Sequence, residues 1–150
     1  MKEAEKKIKR SPYMMNRELS WLKFNERVLN EAGNPKVPLA ERLTFVSIYQ
    51  SNLDEFYRVR AGTLMDQMDV SEVVRENKTN MTSEEQVKAI IRATRELEEK
   101  KTVIYEQLMG ELEPKGIRLI NFNKLSAEEG KILEEYFDRE IAPYLSANIV

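Results

Sequence analysis

Two segments of the chain concentrate side chains able to bind or transform a ligand. The first is Arg17-Glu18-Leu19-Ser20-Trp21-Leu22-Lys23-Phe24-Asn25-Glu26-Arg27-Val28-Leu29; the second is Ser47-Ile48-Tyr49-Gln50-Ser51-Asn52-Leu53-Asp54-Glu55-Phe56-Tyr57-Arg58-Val59-Arg60. Asp54 and Glu55 are neighbouring carboxylates, but adjacent helical positions point about 100° apart, so they do not make an acid–base pair. Asp54 and Arg58, at i and i+4, have the spacing of a surface ion pair. Asn52 and Glu55 have the spacing of an N-cap and its reciprocal acid, so Asn52 reads either as a cap or as an amide projecting from an unbroken helix. In the first segment Trp21 and Phe24 read as core aromatics and Asn25 as a buried hydrogen-bonding amide. Glu26 reads as lacking a helical salt partner at the favoured spacing.

What is missing narrows the chemistry further. The 150 residues contain no histidine and no cysteine, which excludes Ser-His-Asp and Cys-His sites, phosphohistidine, disulfides and thiolate metal centres. There is no Gly-x-x-x-x-Gly-Lys loop, no Gly-x-Gly-x-x-Gly and no acidic cluster at metal-ligand spacing. No residue is therefore assigned a catalytic or metal-binding role. Lys and Arg total 24 against 26 Asp and Glu, a net charge of −2 that gives no global reason to expect nucleic acid as a partner. No apolar run approaches the roughly 20 residues of a membrane span, and Met1 to Arg10 lacks the apolar stretch of a signal peptide. These features point to a cytoplasmic protein.

The elements that must position these residues are helical. Ser20 is a suitable N-cap for a helix from about Trp21 to Ala32, with Trp21, Phe24, Asn25, Val28, Leu29 and Ala32 at steps of three and four, and Gly33-Asn34-Pro35 as the stop. Pro38 opens a second helix whose stripe is Leu39, Leu43, Val46 and Tyr49, with Phe45 and Ile48 beside it. This helix either breaks near Asn52 and restarts, with Leu53, Phe56, Leu64 and Met68 on the new face, or runs through. Residues 69–81 are polar and poorly periodic, a loop or frayed end. Thr82 and Glu85 then form a capping box for the longest helix, whose stripe of Val87, Ile90, Ile91, Thr94, Leu97, Ile104, Leu108 and Leu112 is interrupted by Lys101. It should end at Pro114-Lys115-Gly116. Ile117 to Phe122 reads as a short strand or extended connector, and Ser126 with Glu129 caps a last helix carrying Ile132, Leu133, Tyr136, Phe137 and Ile141, stopped by Pro143. The expected fold is all-α: an antiparallel bundle of three main helices plus a connector and a final helix.

Four pieces in order, Arg17-Glu18-Leu19-Ser20-Trp21-Leu22, Phe24-Asn25-Glu26-Arg27-Val28-Leu29, Pro38-Leu39-Ala40-Glu41-Arg42-Leu43 and Ser51-Asn52-Leu53-Asp54-Glu55-Phe56, resemble the amino end of type-1 polyphosphate kinases. The likeness is tight from about Tyr13 to Gly62 and returns weakly at Gly116 to Asn121. It implies a parent enzyme that reversibly transfers the terminal phosphate of ATP to polyphosphate, with magnesium and through a phosphohistidine. Those positions belong to C-terminal catalytic domains of the same chain, so this segment alone is expected to be inactive and to bind no magnesium. In such enzymes the asparagine before Leu-Asp-Glu-Phe touches the nucleotide, which makes Asn52 the expected ATP/ADP-binding residue; the family often has Ser-Asn-Asn where this chain has Gln50-Ser51-Asn52, and the last asparagine is kept. The resemblance also implies a homo-oligomer when full-length, and leaves peripheral membrane association of the parent open. The expected organisation is an irregular arm over 1–15, a helical domain over 16–115, and a connector with the truncated start of a head domain over 116–150. The abrupt end at Asn148-Ile149-Val150 suggests a chain cut from something longer. The competing reading is a non-catalytic docking or dimerisation module whose helical stripes accept a partner helix.

Overall fold

A computed structural model describes residues 13–68 and 75–146. The expected irregular arm lies largely outside this range, as does the first half of the 69–81 loop. Among the described residues there are five α-helices: α1 Arg17–Ala32, α2 Leu39–Phe56, α3 Gly62–Met68, α4 Ser83–Leu112 and α5 Ala127–Tyr136. No strand forms among the described residues; an isolated antiparallel bridge joins Arg75 to Thr82. The chain divides into two compact units, at residues 1–115 and 116–150.

In the first unit α1 and α2 bury positions at alternating steps of four and three. On α1 these are Glu18, Leu22, Asn25, Leu29 and Ala32, and on α2 Arg42, Val46, Tyr49, Leu53 and Phe56. This is the seam spacing of helices packed nearly parallel or antiparallel to one another. Cross-helix bonds give the directions. Arg42 reaches Ala32, Asn52 reaches Asn25 and Arg60 reaches Glu18, so α2 runs antiparallel to α1. Asn16 reaches Gln86 and Lys100 reaches Glu26, so α4 runs back alongside α1. Lys101, which interrupts the apolar stripe of α4, is half-buried and donates to Gln50 of α2 and to Glu98.

Two sequence expectations need correction, and one alternative left open by the sequence is decided. The cap of α1 is Asn16, whose side chain accepts from the amides of Glu18 and Leu19; Ser20 lies inside the helix. Asn16 wins because its amide also donates to the buried Gln86 across the bundle. Of the two aromatics expected in the core, Trp21 is half-buried and packs against it, whereas Phe24 is 47% exposed, with the Arg27 guanidinium 5.7 Å from its ring centroid; Leu22 takes the buried position. Finally, α2 does not break at Asn52. It runs to Phe56 and passes through a π-helical turn, Tyr57–Ala61, into α3. Buried positions there step by five, from Phe56 to Ala61, and the wider turn absorbs the extra residues before Leu64 re-enters the core.

The expected stop after Leu112 is a 3-10 turn, Glu113–Lys115, followed by Gly116 at φ 82°, a left-handed conformation that favours glycine. In the second unit, Ile117 to Asn121 is an irregular connector, not a strand, and α5 carries the expected Ser126–Glu129 capping box.

Candidate functional site

The two segments singled out by composition meet along the α1–α2 seam, which carries three polar rungs. At one end Arg42, 6% exposed, donates Nε to the Ala32 carbonyl at 2.8 Å and Nη1 to Glu111 at 2.9 Å. The Ala32 carbonyl is one of the last in α1 and has no acceptor role within its own helix, so the guanidinium satisfies a helix end. At the other end the Glu18 carboxylate, 4% exposed, is held by Arg17 at 2.7 Å and by Arg60 at 3.2 Å.

The middle rung carries Asn52. Asn25, with no exposed surface, donates Nδ2 to the Tyr49 carbonyl at 3.0 Å and accepts through Oδ1 from Asn52 Nδ2 at 3.1 Å. This chain of bonds fixes the orientation of both amides. A carbonyl can only accept, so Asn25 must turn its nitrogen to Tyr49 and its oxygen to Asn52. Asn52 must then present its nitrogen inwards. Its Oδ1 and second N–H have no partner among the described residues, and the residue is half-buried, so an acceptor and a donor remain side by side at the seam's edge. One turn away, Trp21 of α1 and Phe56 of α2 stack with ring centroids 4.5 Å apart and planes 12° from parallel.

Asn25 and Asn52 are thus brought together, and a capping role for Asn52 is overturned because α2, which starts at Leu39, has already run for more than three turns at that position. Asp54 and Glu55 are both exposed. The expected Asp54–Arg58 pair is not among the ion pairs formed; Asp54 accepts from Gln50 at 2.9 Å instead. Glu26 does have helical and cross-helix partners, Lys23 at 2.9 Å and Lys100 at 3.1 Å. Hydrogen bonds from these two lysines hold its carboxyl below the usual range. Glu18, Arg42 and Arg60 were not foreseen as buried or bridging; their seam positions at steps of three and four were the available signal. Among the described residues no group of three or more acidic, histidine or cysteine side chains is placed to hold a metal ion.

Tyr49 adds a testable property to this rung. Its hydroxyl is shut off from solvent without a hydrogen-bond partner, and so is Oε1 of Glu98. Burial, and then the Glu98 carboxylate, push the phenol above its ordinary value of 10.0. The folded state therefore holds the proton more tightly than the unfolded chain. The stability this supplies is fully present below pH 10 and is lost as pH rises further, at about 1.4 kcal/mol per pH unit for one proton. Tyr49→Phe should change stability at pH 7 by less than about 1 kcal/mol, since no bonded partner is lost, and should flatten the alkaline limb. Urea midpoints of both proteins at pH 7, 10 and 11 check this; parallel pH curves would refute it.

The model of the polyphosphate kinase N-terminal domain matches residues 14–120. The polyphosphate kinase of Bacillus cereus is 44% identical over 135 residues, covering 89% of this chain and 19% of the relative. That of Staphylococcus haemolyticus is 42% identical over 143 residues, covering 95% of this chain and 20% of the relative. The crystal structure of polyphosphate kinase from Porphyromonas gingivalis aligns with a TM-score of 0.59 at 30% identity, over 89% of this chain and 20% of that one. The chain spans about a fifth of the length of the curated relatives it matches.

Proposed function

Because the chain belongs to the polyphosphate kinase N-terminal domain family, we propose that it is the nucleotide-facing domain of a longer, cytoplasmic phosphotransferase that moves the terminal phosphate of ATP to polyphosphate and back. The observation that carries this reading is the Asn25–Asn52 rung, in which one amide is locked by a buried neighbour with its outer edge unengaged. Such an edge, an acceptor beside a donor, is the group that pairs with the amino and ring nitrogens of adenine. Asn52 is then the base-reading residue and Asn25 its positioning residue. The phosphate transfer itself, the magnesium ion and the histidine that carries phosphate belong to domains beyond this chain, and assembly into an oligomer belongs to the full-length enzyme. Residues 116–150 would begin the next domain. Among the described residues no helix is long and apolar enough to cross a membrane.

A second reading, docking of a partner helix, draws on a groove of about 850 Å³ between α2 and α4 lined by Leu43, Val46, Tyr105 and the stem of Lys101. The two readings differ in what ATP does. With labelled ATP and magnesium, the full-length protein should extend polyphosphate and take up acid-labile phosphate, while the 150-residue chain takes up none. A full-length protein inactive with ATP and polyphosphate, or near-stoichiometric acid-labile label on this chain, would refute the first reading.

A further inference from the structure

The third rung of the seam opens into a cleft of about 570 Å³ whose charged lining is Arg17, Glu18, Arg60, Arg75, Glu76 and Lys78. We infer that this cleft is a binding site for a short run of condensed phosphate, held by the four cations of its wall.

The carboxylates present do not use up the cationic groups. Glu18 is almost wholly buried, and its two oxygens fix two guanidinium groups from different elements, Arg17 of α1 and Arg60 of the π-helical turn. Arg17 spends Nε and Nη2 on one oxygen, and Arg60 spends only Nη1. Arg17 Nη1 and Arg60 Nε and Nη2 are left as donors, on side chains 76% and 38% exposed. Glu76 is tied up locally, accepting from the amides of Lys78 and Thr79 and from the Thr79 hydroxyl. Arg75 donates Nη1 to the Asn80 carbonyl, keeping its other nitrogens. The Lys78 ammonium lies within the electrostatic reach of Glu76 but has no hydrogen-bond or ion-pair partner among the described residues. The result is a set of pre-oriented N–H forks over a buried counter-charge, an arrangement that matches the tetrahedral oxygens of phosphate and costs little ordering when they bind.

The donors belong to side chains, since Asn16 already satisfies the amides of Glu18 and Leu19 at the start of α1. The lining contains no aromatic side chain, so it offers nothing for a base to stack on, which favours a bare phosphate chain over a nucleic-acid strand. Glu18 and Asn25 lie seven residues apart on one face of α1, about 10 Å along its axis, so the cleft is separate from the Asn52 edge although it shares the seam. Choosing a phosphate chain over other multivalent oxyanions rests on the proposed polyphosphate reading; the cleft's geometry does not depend on Asn52.

Calorimetric titration of the 150-residue chain tests the inference, with inorganic tripolyphosphate, orthophosphate, adenosine and oligouridylate as separate probes. Tripolyphosphate should bind more tightly than orthophosphate and weaken with salt. The Arg75→Gln/Lys78→Glu double variant, altered only at exposed positions, should bind tripolyphosphate about tenfold more weakly with unchanged melting. Adenosine carries no phosphate, so its binding reports on the Asn52 edge alone and should not respond to the double variant. Absent tripolyphosphate binding, equal binding by the variant, or oligouridylate binding as tightly as tripolyphosphate would each overturn the cleft assignment. Loss of adenosine binding alone would count against Asn52 and leave the cleft standing.

Discussion

Replacing Arg42 by methionine is expected to cost about 2–4 kcal/mol of stability, because it strips the end of α1 of its buried partner. Methionine keeps most of the aliphatic stem, so little packing is lost. What disappears is the Nε–H on the Ala32 carbonyl and a positive charge at the negative end of the helix dipole. Ala32 has no exposed surface, so water cannot replace that donor. The ion pair with Glu111 contributes less, since Glu111 is half exposed and can be solvated once alone. Glu111→Gln should therefore cost no more than about 1 kcal/mol. Thermal and urea unfolding of both variants separate the two contributions. A loss in Glu111→Gln equal to that in Arg42→Met, or an Arg42→Met protein as stable as the parent, would contradict this account of the first rung.

The second large effect concerns Asn52→Asp. An N-cap asparagine would tolerate this change, because aspartate caps a helix equally well. Within the rung the outcome is different. An aspartate has no N–H for Asn25 Oδ1, and Asn25 cannot turn round without giving up the Tyr49 carbonyl. Two oxygens are forced together, or a buried carbonyl is left without its donor, at a cost of about 1–3 kcal/mol in stability. The variant also offers the nucleotide a carboxylate that only accepts, and a negative charge facing an anionic ligand, so ATP affinity should fall by a similar free energy. Asn52→Ala should be milder in stability and comparable in ATP affinity. Melting of Asn52→Asp indistinguishable from wild type would return the residue to a capping role.

Features decided within one turn of helix were readable in the sequence. The Thr82–Glu85 and Ser126–Glu129 boxes, the Gly33 stop and the interruption at Lys101 all depend on residues three or four apart. Features decided between helices were not. Asn16 and Ser20 are both good caps by type, and the choice fell to Asn16, which also bonds to Gln86 seventy residues away. Glu18 and Arg42 look like surface charges until Arg60 and the Ala32 carbonyl are placed against them. On α1 the reading erred at Phe24, a stripe aromatic that faces solvent, and missed Leu22, which the seam buries. The π-helical turn breaks the step of three and four that a periodicity reading assumes. At the candidate site, Asn25 was legible as a buried amide, while Asn52 as a ligand contact is an expectation that the resemblance supplies. The bond between them, which sets the orientation of each, exists only in the folded bundle.

The central claim is that the locked outer edge of Asn52 reads the base of ATP. The most direct measurement is a four-way comparison in the full-length enzyme: wild type and Asn52→Ala, each with ATP and with inosine triphosphate, whose exocyclic C6 carbonyl oxygen replaces the adenine amino group. Because Asn52 cannot flip without releasing Asn25, its Oδ1 would face that exocyclic carbonyl oxygen. Wild type should show a kcat/KM ratio for ATP over inosine triphosphate of about 5–100, the worth of one buried hydrogen bond lost. In Asn52→Ala the ratio should fall close to one, whatever the variant does to overall stability, while the KM for polyphosphate stays unchanged. The same ratio in both proteins would show that Asn52 does not touch the base, and would contradict the claim.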